Sequence, residues 1–317
     1  MKKGVIILSI FYLSTLFSFA TYHQLLLPYK EEAITLKTAT GDIHGTLTLP
    51  AGTEKHPVAL IIAGSGPTDR NGNSMLTQND CLKQLAAKLA ENKIASVRYD
   101  KRGIGESKNA AVKEEDLRIE HYMDDVKSWI KLLKENKQFS DMIIIGHSEG
   151  SLIGMVASGS TNKFISIAGT GLPADEILKE QLKQQPQSIL DMSVPIIESL
   201  KKGIPVKDVN PMLNSLFRPS VQPYMISWFK YNPQEEIKKV KIPVLIIQGT
   251  KDIQVSTEDA TLLHKANPKS KLVIIENMNH IFKDVAGDEQ ENIATYSNKS
   301  LPINSKLVKE ICTFILD

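Results

Sequence analysis

Apolar and polar positions along the chain fall into two kinds of run. Short, nearly continuous apolar stretches at 57–63, 94–99, 142–145, 164–168, 242–248 and 271–276 read as strands covered on both faces. Segments at 79–92, 115–137, 148–158, 256–266 and 305–316 instead carry apolar residues three and four positions apart, the spacing of helices with one buried face. Ahead of them, 34–40 and 43–49 read as a hairpin turned at Gly41-Asp42. Strand followed by helix, repeated, predicts an α/β architecture: a mostly parallel central sheet flanked by helices. The rhythm breaks once. Residues 172–239 hold several helical patterns and no strand pattern, which predicts a helical cap inserted late in the sheet, between the two parts, 21–171 and 240–317, of one main domain.

The first twenty residues follow a different rule. Lys2-Lys3 precede an apolar run from Val5 to Phe17, and Ser18-Phe19-Ala20 place small residues at the two cleavage positions, so 1–20 reads as a secretory signal peptide. An uncleaved membrane anchor is the competing reading, because the apolar part is nearly long enough to span. Cleavage predicts an exported protein, periplasmic or secreted, with no stable membrane insertion afterwards. Cys81 and Cys312 are the only thiols. Export permits a disulfide, yet the reading favours two buried free thiols on helices that share one face of the sheet.

Composition narrows the function classes. A chain of 317 residues, 42% apolar, is long enough for one large core. Its 38 basic and 36 acidic residues give a net charge of +2 and no basic stripe, which argues against a nucleic-acid partner. Oligomeric state leaves no mark on the pattern. In 100–107, Gly103 and Gly105 lack the third glycine of a dinucleotide fingerprint and no GK[ST] follows, so nucleotide binding is not expected. Asp100 and Arg102 are expected to form an ion pair that braces this loop.

The chemistry is concentrated where strands end. Gly146-His147-Ser148-Glu149-Gly150 is a GxSxG segment between an apolar strand and a helix of small residues. That context is a nucleophile elbow: a serine hydroxyl presented on a tight strand-to-helix turn, with glycines where a Cβ would collide. The helix start also aims its free N–H groups at the place where negative charge develops, which makes the Glu149 N–H an oxyanion donor. In sites of this kind the acid follows the serine and the histidine follows the acid. Asp252, after the strand 242–248, is the candidate acid, and His280, in the polar loop after 271–276, the candidate base. Asp175 is the rival acid. His264 is the rival histidine, although its helical segment makes a surface position the ordinary explanation. The second oxyanion donor is assigned to the Ser65 N–H, in the Gly64-Ser65-Gly66 loop after the strand 57–63.

Four blocks make the chain resemble an α/β-hydrolase, and within it the bacterial exported acyl-esterase group often labelled serine-aminopeptidase-like. They are AGSGPTDRNGN at 63–73, YDKRGIGES at 99–107, GHSEG at 146–150, and QGTKDIQV with NMNH at 248–255 and 277–280. The resemblance spans 33–317 and implies a carboxylesterase acting on small or medium acyl esters. Ala63-Gly64 stands in place of the His-Gly opening of many lipases, which points away from a long-chain lipase. Met212, Phe217, Tyr224, Met225, Trp228 and Phe229 are candidates to line the pocket beneath the cap, with Met225, Trp228 and Phe229 foremost.

The expected function is therefore hydrolysis of a small-molecule ester by a Ser148–His280–Asp252 triad through an acyl-enzyme, with no metal and no organic cofactor. Three rivals stay open. An exopeptidase needs a carboxylate patch for the substrate's amine, which Asp175, Glu176, Glu180 and Glu198 are placed to supply. An acyltransferase or thioesterase would use the same groups, and a non-catalytic binding protein would leave them idle.

Overall fold

The computed structural model describes residues 28–317, so the expected signal peptide at 1–20 lies outside the described residues. Eight strands form one sheet: β1 (Tyr29–Thr38), β2 (Gly41–Pro50), β3 (His56–Ile62), β4 (Ala95–Tyr99), β5 (Phe139–His147), β6 (Lys163–Ile167), β7 (Val244–Gly249) and β8 (Lys271–Ile275). Their spatial order is β1-β2-β4-β3-β5-β6-β7-β8. The β1–β2 and β2–β4 pairings are antiparallel and all later ones parallel. Thr38 faces Gly41, so the hairpin turns on Ala39-Thr40, two residues earlier than the expected Gly41-Asp42. A glycine and an aspartate look like the turn itself, but here Gly41, at φ 136, starts the returning strand.

The near-continuous apolar strands follow from burial on both faces. In β5, Met142 and Ile144 join one core, while Ile143 and Ile145 join the other. The first core is closed by α2 (Ile119–Glu135), α3 (Glu149–Ala157) and the later α8 (Pro233–Lys239) and α9 (Thr257–Ala266). The second is closed by α1 (Cys81–Glu91) and α11 (Ser305–Leu316), which carry the two cysteines. Both thiols are free and buried. A short α10 (Glu289–Thr295) precedes α11. Among the described residues no helix is long and apolar enough to cross a membrane.

Between β6 and β7 the chain leaves the sheet and forms α4 (Ala174–Leu182), α5 (Gln187–Lys201), α6 (Asn214–Phe217), α7 (Gln222–Trp228) and α8. Ile197, Leu200, Leu213, Phe217, Met225 and Phe229 make a third apolar cluster, separate from the two that cover the sheet. Proline punctuates the path. Asn210 and Asn232 cap turns that begin with Pro211 and Pro233, where a missing N–H costs nothing.

Candidate active site

Ser148 stands at the turn from β5 into α3 with φ 55 and ψ −122, a backbone state that costs a non-glycine residue on the order of 1–3 kcal/mol. Its surroundings enforce it. The Ser148 N–H donates to the Ile167 carbonyl at 3.0 Å on the neighbouring strand. A Cβ on Gly146 would lie 2.3 Å from the Gly150 carbonyl oxygen, and one on Gly150 would lie 2.4 Å from the Ile62 carbonyl oxygen. No side chain fits at either position, which is why the motif has glycine there.

Asp252 follows β7 and is held from several sides. Its Oδ1 accepts from the N–H groups of Gln254 and Val255 at 2.7 and 2.9 Å. Its Oδ2 accepts from Gln248 Nε2 at 2.9 Å and from His280 Nδ1 at 2.7 Å. Burial pushes the Asp252 pKa up, but the adjoining His280 imidazole and the two backbone N–H groups outweigh it and hold the carboxyl below its ordinary 3.8. An ionised carboxylate only accepts, so His280 Nδ1 carries the proton and Nε2 presents a lone pair. His280 and Ser148 line one small cavity, and Ser148 Oγ has no hydrogen-bond partner among the described residues.

His147, inside the motif, has a part that its position alone did not reveal. Its pKa falls to about 3, chiefly through burial and then through the neighbouring His280. The neutral ring donates from Nε2 to the His280 carbonyl at 3.0 Å and so fixes the loop that carries the base. Lys101 was also missed. Buried beside α3, its Nζ donates to the Gly64 carbonyl at 2.6 Å and to Glu149 Oε1 at 3.1 Å, while Tyr224 donates to Glu149 Oε2 at 2.7 Å. This cation ties together the two backbone segments that hold Ser65 and Glu149, whose N–H groups have no acceptor among the described residues. A lysine in an unremarkable post-strand loop gives no sequence signal of such a contact.

The expected Asp100–Arg102 pair does not form. Asp100 Oδ2 meets Arg70 at 2.7 Å, and Arg102 grips Asp125 of α2, with Nε to Oδ2 at 2.8 Å. The chain turns at Arg102, so residues two apart in sequence face different partners. Asp175 pairs with Lys201 at 2.8 Å within the inserted helices, and His264 Nδ1 meets Ser270 Oγ at 2.9 Å; neither lines a cavity with Ser148.

A larger cavity of about 750 Å³, which Ser148 also lines, has residues of the inserted helices on its wall. Tyr224, Met225 and Trp228 line it as expected, but Phe229 does not. Phe229, just past the end of α7, is 2% exposed and packs into the insertion's own cluster. Phe217 is buried there too, and Met212 is exposed to solvent. Two carboxylates reach the cavity wall. Glu149 is bound by Lys101 and Tyr224, and Glu114 is bound by Arg218 and Ser220.

Known proteins resemble this chain in sequence and in fold. The family model described as serine aminopeptidase, S33, matches residues 75–200. Esterase EstD of Thermotoga maritima is 25% identical over 298 residues, 91% of this chain and 68% of its own. Among solved structures, Est1E from Butyrivibrio proteoclasticus superposes with a TM-score of 0.58 at 18% identity, covering 90% of this chain and 98% of its own. The acylaminoacyl peptidase of Pyrococcus horikoshii superposes at 0.57 with 15% identity, covering 94% of this chain and 43% of its own. The chain is a member of the α/β-hydrolase superfamily. The proteins it resembles include an esterase and a peptidase.

Proposed function

We propose that the protein hydrolyses carboxylic esters of small to medium acyl groups through an acyl-enzyme formed on Ser148. The observation that carries this reading is the 2.7 Å bond from His280 Nδ1 to Asp252, which leaves Nε2 as the unengaged ring nitrogen of a histidine that lines the same cavity as Ser148. His280 Nε2 takes the Ser148 proton as Oγ bonds to the ester carbonyl carbon, and the N–H groups of Ser65 and Glu149 hold the resulting oxyanion. The carbonyl reforms, the C–O bond to the alcohol breaks, and His280 returns the proton to the departing alcohol oxygen. Water repeats the sequence on the acyl-enzyme and releases the acid. Asp252 keeps the ring in the required tautomer and offsets its charge while the proton is held.

The inserted helices act in this reading as a cap, and Met225 and Trp228 form part of the acyl wall. An aminopeptidase reading has less support: Glu149 and Glu114 on the larger cavity wall are paired, and of the expected patch Asp175, Glu180 and Glu198 pair with Lys201, Lys183 and Lys179. Ser148→Ala is expected to lower turnover on short p-nitrophenyl esters by several powers of ten and to abolish fluorophosphonate labelling. Esterase turnover that survives the change nearly intact would remove Ser148 from its role. Faster cleavage of aminoacyl anilides than of acyl esters would favour the peptidase, and no labelling of the unaltered protein would favour a binding protein. Export rests on the Met1–Ala20 pattern, and N-terminal sequencing of protein recovered from outside the cytoplasm should begin beyond Ala20.

A further inference from the structure

Two cavities meet at Ser148, and they differ in size and chemistry. The larger carries an apolar stretch of Ile104, Leu117, Ile177, Leu178, Met225 and Trp228, and its charged groups are each paired: Lys101 with Glu149, Glu114 with Arg218, and Arg102 with Asp125 behind the wall. The smaller, about 160 Å³, has polar side chains on much of its wall: Thr68, Thr77, Asn79, Gln254 and Tyr296. Ser65, Ser148 and Gln254 border both cavities, Glu149 borders only the larger, and His280 borders only the smaller.

That division orients an ester. As the C–O bond breaks, the departing oxygen must receive its proton from His280, so the alcohol half lies on the His280 side of the carbonyl carbon. The acyl half is directed to the opposite side, into the larger cavity. We infer that the smaller cavity is the alcohol site, and that the enzyme takes esters of short, hydroxyl-bearing alcohols whose apolar acyl chain occupies the larger cavity. The inference rests on the esterase reading and adds the direction and class of each half.

The polar wall supplies the recognition. Thr68 Oγ1 already donates to the Ser65 carbonyl at 3.1 Å, and Asn79 Nδ2 to the Gly72 carbonyl at 3.0 Å. Tyr296 is placed differently. Its hydroxyl accepts from Gln254 Nε2 at 3.3 Å, while its own O–H has no acceptor among the described residues and stands ready for a second hydroxyl on the alcohol. An alcohol that is too bulky meets Ile281 and Cys81, which help close a space about a fifth the volume of the larger one.

The test crosses two substrate series with two variants. Octanoate esters of propanol and of ethylene glycol present leaving groups of equal heavy-atom count that differ by one hydroxyl, and 2-hydroxyethyl esters of increasing acyl length read the other half. We expect the unaltered enzyme to favour the 2-hydroxyethyl over the propyl ester in kcat/KM. Tyr296→Phe should reduce that ratio by about threefold to tenfold, the range of one neutral hydrogen bond, without moving the preferred acyl length. Leu178→Trp, which fills the larger cavity, should shorten the preferred acyl chain and leave the hydroxyethyl-to-propyl ratio in place. An acyl preference moved by Tyr296→Phe, an alcohol ratio moved by Leu178→Trp, or ester turnover with no discrimination between the two alcohols overturns the assignment while the esterase reading stands. No hydrolysis of any ester together with no fluorophosphonate labelling overturns the esterase reading itself.

Discussion

Single residues around Ser148 are held by contacts that tolerate few substitutes. The left-handed backbone at Ser148 is accommodated because Gly146 and Gly150 carry no Cβ, which would collide with carbonyl oxygens of the elbow and of β3. Gly146→Ala is accordingly expected to force the turn apart. It should lower unfolding free energy by at least about 1–3 kcal/mol in urea titration, with loss of fluorophosphonate labelling; full stability and full labelling would show that the turn adapts. Lys101 makes a second such case. It and Glu149 are each 2% exposed in their side chains, so removing one partner strands the other as a buried charge. Lys101→Met should cost about 3–5 kcal/mol, and the double change Lys101→Met with Glu149→Gln should recover part of that loss. A double variant no more stable than Lys101→Met would mean that the lysine contributes chiefly by packing over the Tyr122 ring, 5.0 Å away.

At the level of elements, the sequence was most legible where one physical rule acted alone. Strands such as β5 are covered on both faces, so their apolar runs were visible, and Ser148, Asp252 and His280 stood at strand ends in the order Ser, Asp, His. Helix spacing reveals a buried face but not what covers it. Hence Phe229, just past α7, belongs to the insertion's own cluster rather than the cavity wall, and Arg102, in a loop with no periodicity, pairs with Asp125 rather than Asp100. Nor does spacing reveal Lys101 or His147, whose parts depend on backbone carbonyls that only the fold brings near. The separate cluster in the inserted helices carries its own consequence. Phe217 is fully buried within it, and Phe217→Ala should cost about 3–5 kcal/mol locally. Amide exchange is the measurement to make: α4 to α7 should lose protection while the strands of the sheet keep theirs, and a uniform loss across both would show one cooperative unit.

For the whole molecule, buried ionisable groups set opposite limits on stability at the two ends of the pH range. Asp252 has a folded pKa below its ordinary 3.8, so its stabilisation is present above that value and lost as pH falls through the folded one. The alkaline limit has the other sign. Burial pushes the Cys81 thiol from an ordinary 9.0 up to about 12 and Cys312 up to about 11, and burial likewise raises Tyr99 and Tyr224 well above 10. These groups stay protonated in the folded chain while the unfolded chain releases their protons, so their stabilisation is complete below about pH 9 and drains away as pH rises through the folded values. Each such group contributes a slope of up to about 1.4 kcal/mol per pH unit in that window. Cys81→Ala removes one of them. Urea unfolding at successive pH values should give a variant less stable than the parent at pH 8, with a shallower decline between pH 9 and 12 as the difference between the two proteins narrows. Parallel curves across that window would show that the Cys81 thiol ionises as readily in the fold as out of it, against its burial at the start of α1.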